Sequence, residues 1–204
     1  MSTITLAAGL GDMTSATLTT AGLAVGIALL AIEHVTWWRG GGGAAAAGKK
    51  GGGPAEAGGK AKDPKALIPF WFGVGFGTLM VACPAGLLGY GAGILRWGGN
   101  GAGGLVMSWM TGQNAATIAN GAAPSIDGNG ALIVTALVIV LWLLRKKFGK
   151  AIKGRWWKGV LVGVLIAIGT GIFAVIGNMV VPGVNDLGAW CIGAIVKGDL
   201  GGLV

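Results

Sequence analysis

Thr17-Leu-Thr-Thr-Ala-Gly-Leu-Ala-Val-Gly-Ile-Ala-Leu-Leu-Ala-Ile-Glu-His-Val-Thr-Trp-Trp38 is the first long apolar run of the chain, and Arg39 closes it. About 20 residues at ~1.5 Å of rise each cover ~30 Å, the thickness of a bilayer's hydrocarbon. An aromatic pair followed by a basic residue is the ending expected where such a helix meets the cytoplasmic interface. Nothing basic precedes the run between Met1 and Thr20. A cleaved secretory signal carries a positive leader, so this segment is expected to remain as a helix.

The rest of the chain suits the same solvent. Of its 204 residues 53 % are apolar and only 11 % charged, and mean hydropathy is +0.75. Soluble domains carry roughly 25 % charged residues, so this chain lacks the polar groups to cover a water-facing surface of its size. Glycine is abundant, at 43 residues. No Gly-X-Y period accompanies it, which removes collagen, and in membrane helices glycine permits close backbone approach.

After residues 1–39, a basic Gly/Ala/Lys stretch at 40–65 reads as a flexible linker. A second apolar segment occupies 66–97, too long for one upright helix. Pro84 lies in its middle and lacks a backbone donor, so a kink or break is expected near Ala82–Gly86. Residues 98–130 read as an external polar connection, with Leu105, Val106, Trp109 and Met110 spaced for a short interfacial helix. Residues 131–181 hold a third segment to Leu144, a basic loop at 145–158 and a fourth segment from Gly159 to Val181, ending before Pro182. Residues 182–204 contain one short apolar patch and read as an interfacial tail. The expected fold is all-α and integral to the membrane, with about four transmembrane helices, the second broken near Pro84, and a short interfacial C-terminal helix.

Charge sets the orientation. The six Lys/Arg of positions 39–65 and the seven of 145–158 fall in alternate connections, against only Arg96 and Lys197 elsewhere. The positive-inside rule then places both basic segments in the cytoplasm and both termini outside, in a bacterial inner membrane. Arg96 is the residue that fits this pattern least.

Three segments carry small residues four apart: Gly22 and Gly26, Gly73 and Gly77, and the longer stripe Gly159, Gly163, Ala167 and Gly171. Spacing of four puts them on one helix face, where backbones can meet. The plainer reading is packing within the bundle; the sharper one is a homo-oligomer joined through the fourth segment. Glu33 is the one acidic residue inside an apolar run, with His34 beside it. Ionisable groups in a membrane often mark ion paths, yet Glu33 sits a turn from Trp37, where headgroup water is near. Arg145, Lys146, Lys147, Lys150, Lys153, Arg155 and Lys158 alternate with Phe148, Ile152, Trp156 and Trp157. Such a segment suits anionic lipid headgroups, and nucleic acid is a weaker second ligand because phosphates and exposed bases ask for cations and stacking rings.

Asp127-Gly-Asn-Gly resembles part of a calcium loop but lacks the other ligands, so a tight turn is the plainer reading. No catalytic set, cofactor motif or metal cluster is legible, and the two cysteines, Cys83 and Cys191, define no disulfide framework. The layout looks like that of small membrane proteins of actinobacterial mobile elements, plasmid spread proteins and phage membrane proteins among them; the likeness is one of layout and rests on no motif. The basic face leads to the expected function, a non-enzymatic membrane subunit of a transfer or secretion assembly that holds nucleic acid or a cytoplasmic partner there. An oligomeric, holin-like pore is the alternative and a small transporter the third.

Overall fold

The computed structural model describes residues 16–39, 64–83, 86–120, 124–144, 154–167 and 174–197. The protein is mostly helical: α1 Thr20–Arg39, a 3-10 turn Pro64–Leu67 leading into α2 Ile68–Ala82, α3 Gly86–Thr111, α4 Gly128–Leu144, α5 Arg155–Ile166 and α6 Ala174–Lys197. A short antiparallel ladder joins β1 Thr17–Thr19 to β2 Thr117–Asn120, with Leu18 opposite Ala119. An all-α expectation misses this ladder because three or four residues are too few for a period-two pattern to show.

Among the described residues, three helices are long and apolar enough to cross a membrane: Thr20–Arg39, the turn and helix Pro64–Ala82, and Ala174–Val196. Gly128–Leu143 is apolar but shorter.

Packing is centred on α5, which touches α1, α2 and α3. Glu33 near the end of α1 meets Arg155 at the start of α5, while Gly26 meets Leu165 and Ile166 near its end. The two helices therefore run antiparallel. Arg155 Nη1 also donates to Ala66 O at 2.9 Å, which brings the start of α2 to the same end. Gly73 lies against Trp156 and Gly159, Gly77 against Val160 and Val164, so α2 and α5 run parallel. At the far end Ile126 N donates to Ala82 O at 3.1 Å and leads into α4. Asp127 caps that helix through Oδ1, which accepts from Gly130 N at 2.7 Å, so Asp127-Gly-Asn-Gly is a helix start.

The boundaries correct several expectations. The connection expected at 98–130 is helical as far as Thr111, in one helix with the Gly-rich stretch from Gly86. Propensity argues against that helix. Burial supplies what propensity lacks, since Ala92, Arg96, Gly99 and Gly103 form a buried line along it. The fourth segment is not one continuous helix: α5 stops at Ile166 with Ala167 as its cap, and α6 begins at Ala174. The tail expected to be interfacial belongs to α6, which continues through Pro182 to Lys197. One missing donor and one crowded carbonyl, at Asn178, are tolerated where neighbouring groups or local adjustment re-satisfy the backbone. α2 ends at Ala82 and α3 opens on Gly86 at φ +88°, a conformation that favours glycine; Pro84 lies outside the described residues.

α3 keeps to one end of the molecule. Gly91 meets Met80 near the end of α2, and Arg96 reaches Val164 and Ala167 at the end of α5. Asn100 bonds Thr17 and Thr19, and Thr20 Oγ1 approaches Met107 Sδ at 3.8 Å. Each partner belongs to the end opposite Arg39, Lys65 and Arg155. The helix therefore crosses the others and does not run beside any of them.

Candidate functional site

Two buried charges are the chemically distinctive features among the described residues. The first is Glu33, whose side chain is 4 % exposed. Its Oε1 lies 2.9 Å from Arg155 Nε and its Oε2 accepts from Lys158 Nζ at 3.2 Å. A lone carboxylate in such a place would carry a desolvation cost of several kcal/mol; two cations, one of them also bound to a backbone carbonyl, offset it. His34 beside it bonds Leu30 O through Nδ1 at 2.8 Å and stands edge-on to Phe70 and Trp71. Glu33 is thus buried within the protein and ties the end of α1 to the start of α5.

The knot is asymmetric, which orders its mutants. Arg155 is 22 % exposed and Lys158 54 %, so both can recover water when Glu33 is lost, whereas Glu33 cannot when its cations are lost. Arg155→Ala is expected to be the most destabilising, at about 3–5 kcal/mol, because it leaves the buried anion with only the half-exposed Lys158 and frees the Ala66 carbonyl. Glu33→Gln follows, and Lys158→Ala costs under about 1 kcal/mol, as an exposed pair does. Unfolding midpoints of the three variants in one detergent check the order; Lys158→Ala as the worst of them would refute it.

The second charge is Arg96, 2 % exposed. Nε donates to Val164 O at 3.1 Å, Nη2 to Ala167 O and Nη1 to Ala16 O at 2.8 Å. The last carbonyls of a helix have no partner inside it, and that terminus carries partial negative charge. Arg96 satisfies both demands for α5 at the point where the helix stops. Arg96 is therefore structural, which explains why it departs from the charge pattern of the connections.

The small residues are placed as follows. Gly73 and Gly77 of α2 face Gly159 and Gly163 of α5 across a seam so close that a Cβ at any of the four would overlap a backbone oxygen, of Trp156, Val160, Phe70 and Val74 respectively. Gly26 meets α5 and Gly22 meets Asn100 of α3, so these two serve different contacts. Ala167 is buried at the end of α5, and Gly171 lies outside the described residues. Of the basic cluster, Arg155 and Lys158 are described; Arg145, Lys146, Lys147, Lys150 and Lys153 lie outside. Sequence reading missed Gly99 and Gly103, which admit Leu165 and Ala21, and Gly188, which receives Asn129 of α4. Gly99 and Gly103 carried the same spacing of four, inside a stretch read as a connection.

A cleft of about 280 Å³ between Cys83, Leu87, Leu88, Val134, Thr135 and Ile139 is lined by apolar groups, one thiol and one hydroxyl, the hydroxyl donating to Ala131 O at 2.7 Å. Trp156 Nε1 is the one buried side-chain donor with no acceptor among the described residues. No group of three or more His, Cys, Asp or Glu suited to a metal occurs among the described residues. Compared with protein-family models, curated proteins and solved structures, the chain matches none at a significant level.

Proposed function

We propose that this chain is a non-catalytic, multi-pass membrane subunit of a larger bacterial assembly of the transfer or secretion type. In this reading it crosses the inner membrane four times, through α1, α2, α4 and the interrupted pair α5–α6. Both termini lie outside, and the basic segments at 40–65 and 145–158 face the cytoplasm. They leave that face with thirteen cations against Glu33, Glu56 and Asp63, a surplus that attracts anionic headgroups or an acidic partner.

The observation that carries the reading is the α2–α5 seam. A pore assembled from copies of the chain needs a small-residue face free to meet another copy, and the longest such stripe is spent on α2 through Gly159 and Gly163. The charges a transporter would use are also committed, Glu33 to Arg155 and Lys158, and Arg96 to three carbonyls. Apolar surface remains outward on several helices, including Trp142 and Leu143 of α4 and Met179 and Ile195 of α6, suited to lipid or neighbouring subunits.

Single-channel recording in a planar bilayer tests it. Correctly inserted protein is expected to conduct nothing, at any protein density. Discrete, reproducible steps would overturn the proposal in favour of a holin-like pore.

A further inference from the structure

α3 has a buried line and, opposite it, a face of a different kind. Leu87, Tyr90, Ile94, Trp97, Leu105 and Trp109 follow one another at helical spacing and are all exposed, Leu87 and Trp109 at 86 % each. No charge accompanies them: Arg96 is the only ionisable side chain except Tyr90 between Gly86 and Thr111, and it points inward. An uncharged apolar stripe of this length cannot be left to water at ordinary cost; fully exposing one such large side chain forgoes about 1.5–3 kcal/mol of burial. Its occupant must be apolar and must carry no demand for ion pairing. The helix also crosses α2, α5 and α1 at the end opposite the basic one, with tryptophan and tyrosine along its free side, the residues enriched where hydrocarbon meets headgroups.

We propose that α3 is an in-plane membrane helix, seated in the leaflet at the end opposite the basic one with this stripe immersed in lipid at the hydrocarbon–headgroup boundary. Lipid is the fitting occupant because the stripe begins at Leu87, which shares an apolar cleft with Val138 and the outward Ile139 of α4, and because a neutral face recognises acyl chains irrespective of headgroup charge. The buried line explains the arrangement from the other side. Gly99 and Gly103 let α3 sit close on the Leu165 side chain and on Ala21 and Val25, and Asn100 bonds Thr17 and Thr19, so the helix is fastened across the flanks of α5 and α1 near one end, with its stripe turned sideways away from them. The inference rests on the membrane reading, though not on any choice of partner for the basic face.

Depth measurement by spin labelling tests it. In a Cys83→Ala, Cys191→Ala background, labels go on Leu87→Cys, Ile94→Cys, Leu105→Cys and Trp109→Cys, and on Leu132→Cys, Ile139→Cys and Leu143→Cys of α4 as a ruler. The protein is placed in phosphatidylcholine vesicles, and oxygen against nickel-chelate accessibility reports depth. The four α3 labels are expected in lipid at a common depth, within about 5 Å, while the α4 labels grade over ~17 Å at 1.5 Å per residue. A gradient along α3 approaching ~27 Å between Leu87 and Leu105 would mean that the helix spans, and would overturn the inference. So would α3 labels open to nickel while the α4 ruler stays in lipid, since water would then face the stripe, or α3 labels closed to both reagents, since a protein would then cover it. If the α4 labels were also open to nickel, the membrane reading would fail and this inference with it.

Discussion

Gly163→Leu abolishes the folded protein, and Gly75→Leu leaves it intact; this contrast is the largest single-residue effect expected. A Cβ on Gly163 overlaps Val74 O, Cα and carbonyl carbon, all backbone, so no rotamer change relieves it and the helices must separate. Overpacking a formed core costs typically 1–3 kcal/mol, and a leucine driven against backbone in a seam without slack is expected to exceed about 3 kcal/mol. Separating α2 from α5 also uncovers Phe70, Val74, Val160 and Val164, which are each at most 1 % exposed. At Gly75, on the same helix as Gly73 and Gly77, an added Cβ meets nothing within 4 Å. Replacing it also removes the propensity cost of glycine, up to ~1 kcal/mol in a helix. Denaturant titration in mixed micelles, read by far-UV circular dichroism, separates the two. Equal stabilities would show that the seam does not hold the bundle.

Arg96→Met comes next. Methionine keeps much of the length and the apolar stem but leaves the Val164, Ala167 and Ala16 carbonyls without their donor. Each buried carbonyl deprived of a partner costs about 1–3 kcal/mol, so a loss of about 3–5 kcal/mol is expected once local relaxation is allowed for. Arg96→Lys retains the cation at the helix terminus but lacks the planar fork that reaches three acceptors at once, and should fall between. Thermal unfolding followed by tryptophan fluorescence orders the three proteins. If the methionine variant melted with the parent, the capping role would be wrong.

These two sites differ in how far the sequence could reveal them. The four-apart glycines at 73 and 77 and at 159 and 163 stand out in any reading, because spacing alone puts them on one face. Spacing says nothing of which helix fills the face, and here the answer is a parallel neighbour far along the chain. Glu33 was visible as a lone carboxylate in an apolar run, but its partners Arg155 and Lys158 looked like members of a loop cluster. Arg96 could not be read as a cap, since its acceptors are backbone carbonyls and leave no side-chain signature. The apolar runs at Thr20–Arg39 and Pro64–Ala82 were legible because hydrocarbon thickness demands a minimum length. α3 was not, because its helicity depends on tertiary burial of glycines that propensity scores as breakers. α6 was not legible across Pro182, because proline removes one backbone donor and reads as a helix end, whereas the helix continues through it to Lys197.

The α2–α5 seam also has a consequence for how the chain is made. Arg155 and its acceptor Ala66, at the mouth of that seam, are 89 residues apart. Ribosomes add roughly 5–20 residues per second, so α2 would wait about 4–18 s before its glycine face meets the helix that covers it. Arg96 precedes Val164 and Ala167 by 68 and 71 residues, a wait of about 3–14 s, so the charge is delivered before the carbonyls that receive it. During that interval the nascent protein would offer the insertion machinery an uncovered groove and an unsatisfied guanidinium. A chaperone or insertase able to shield both until α5 emerges would then govern yield more than the stability of the finished fold does.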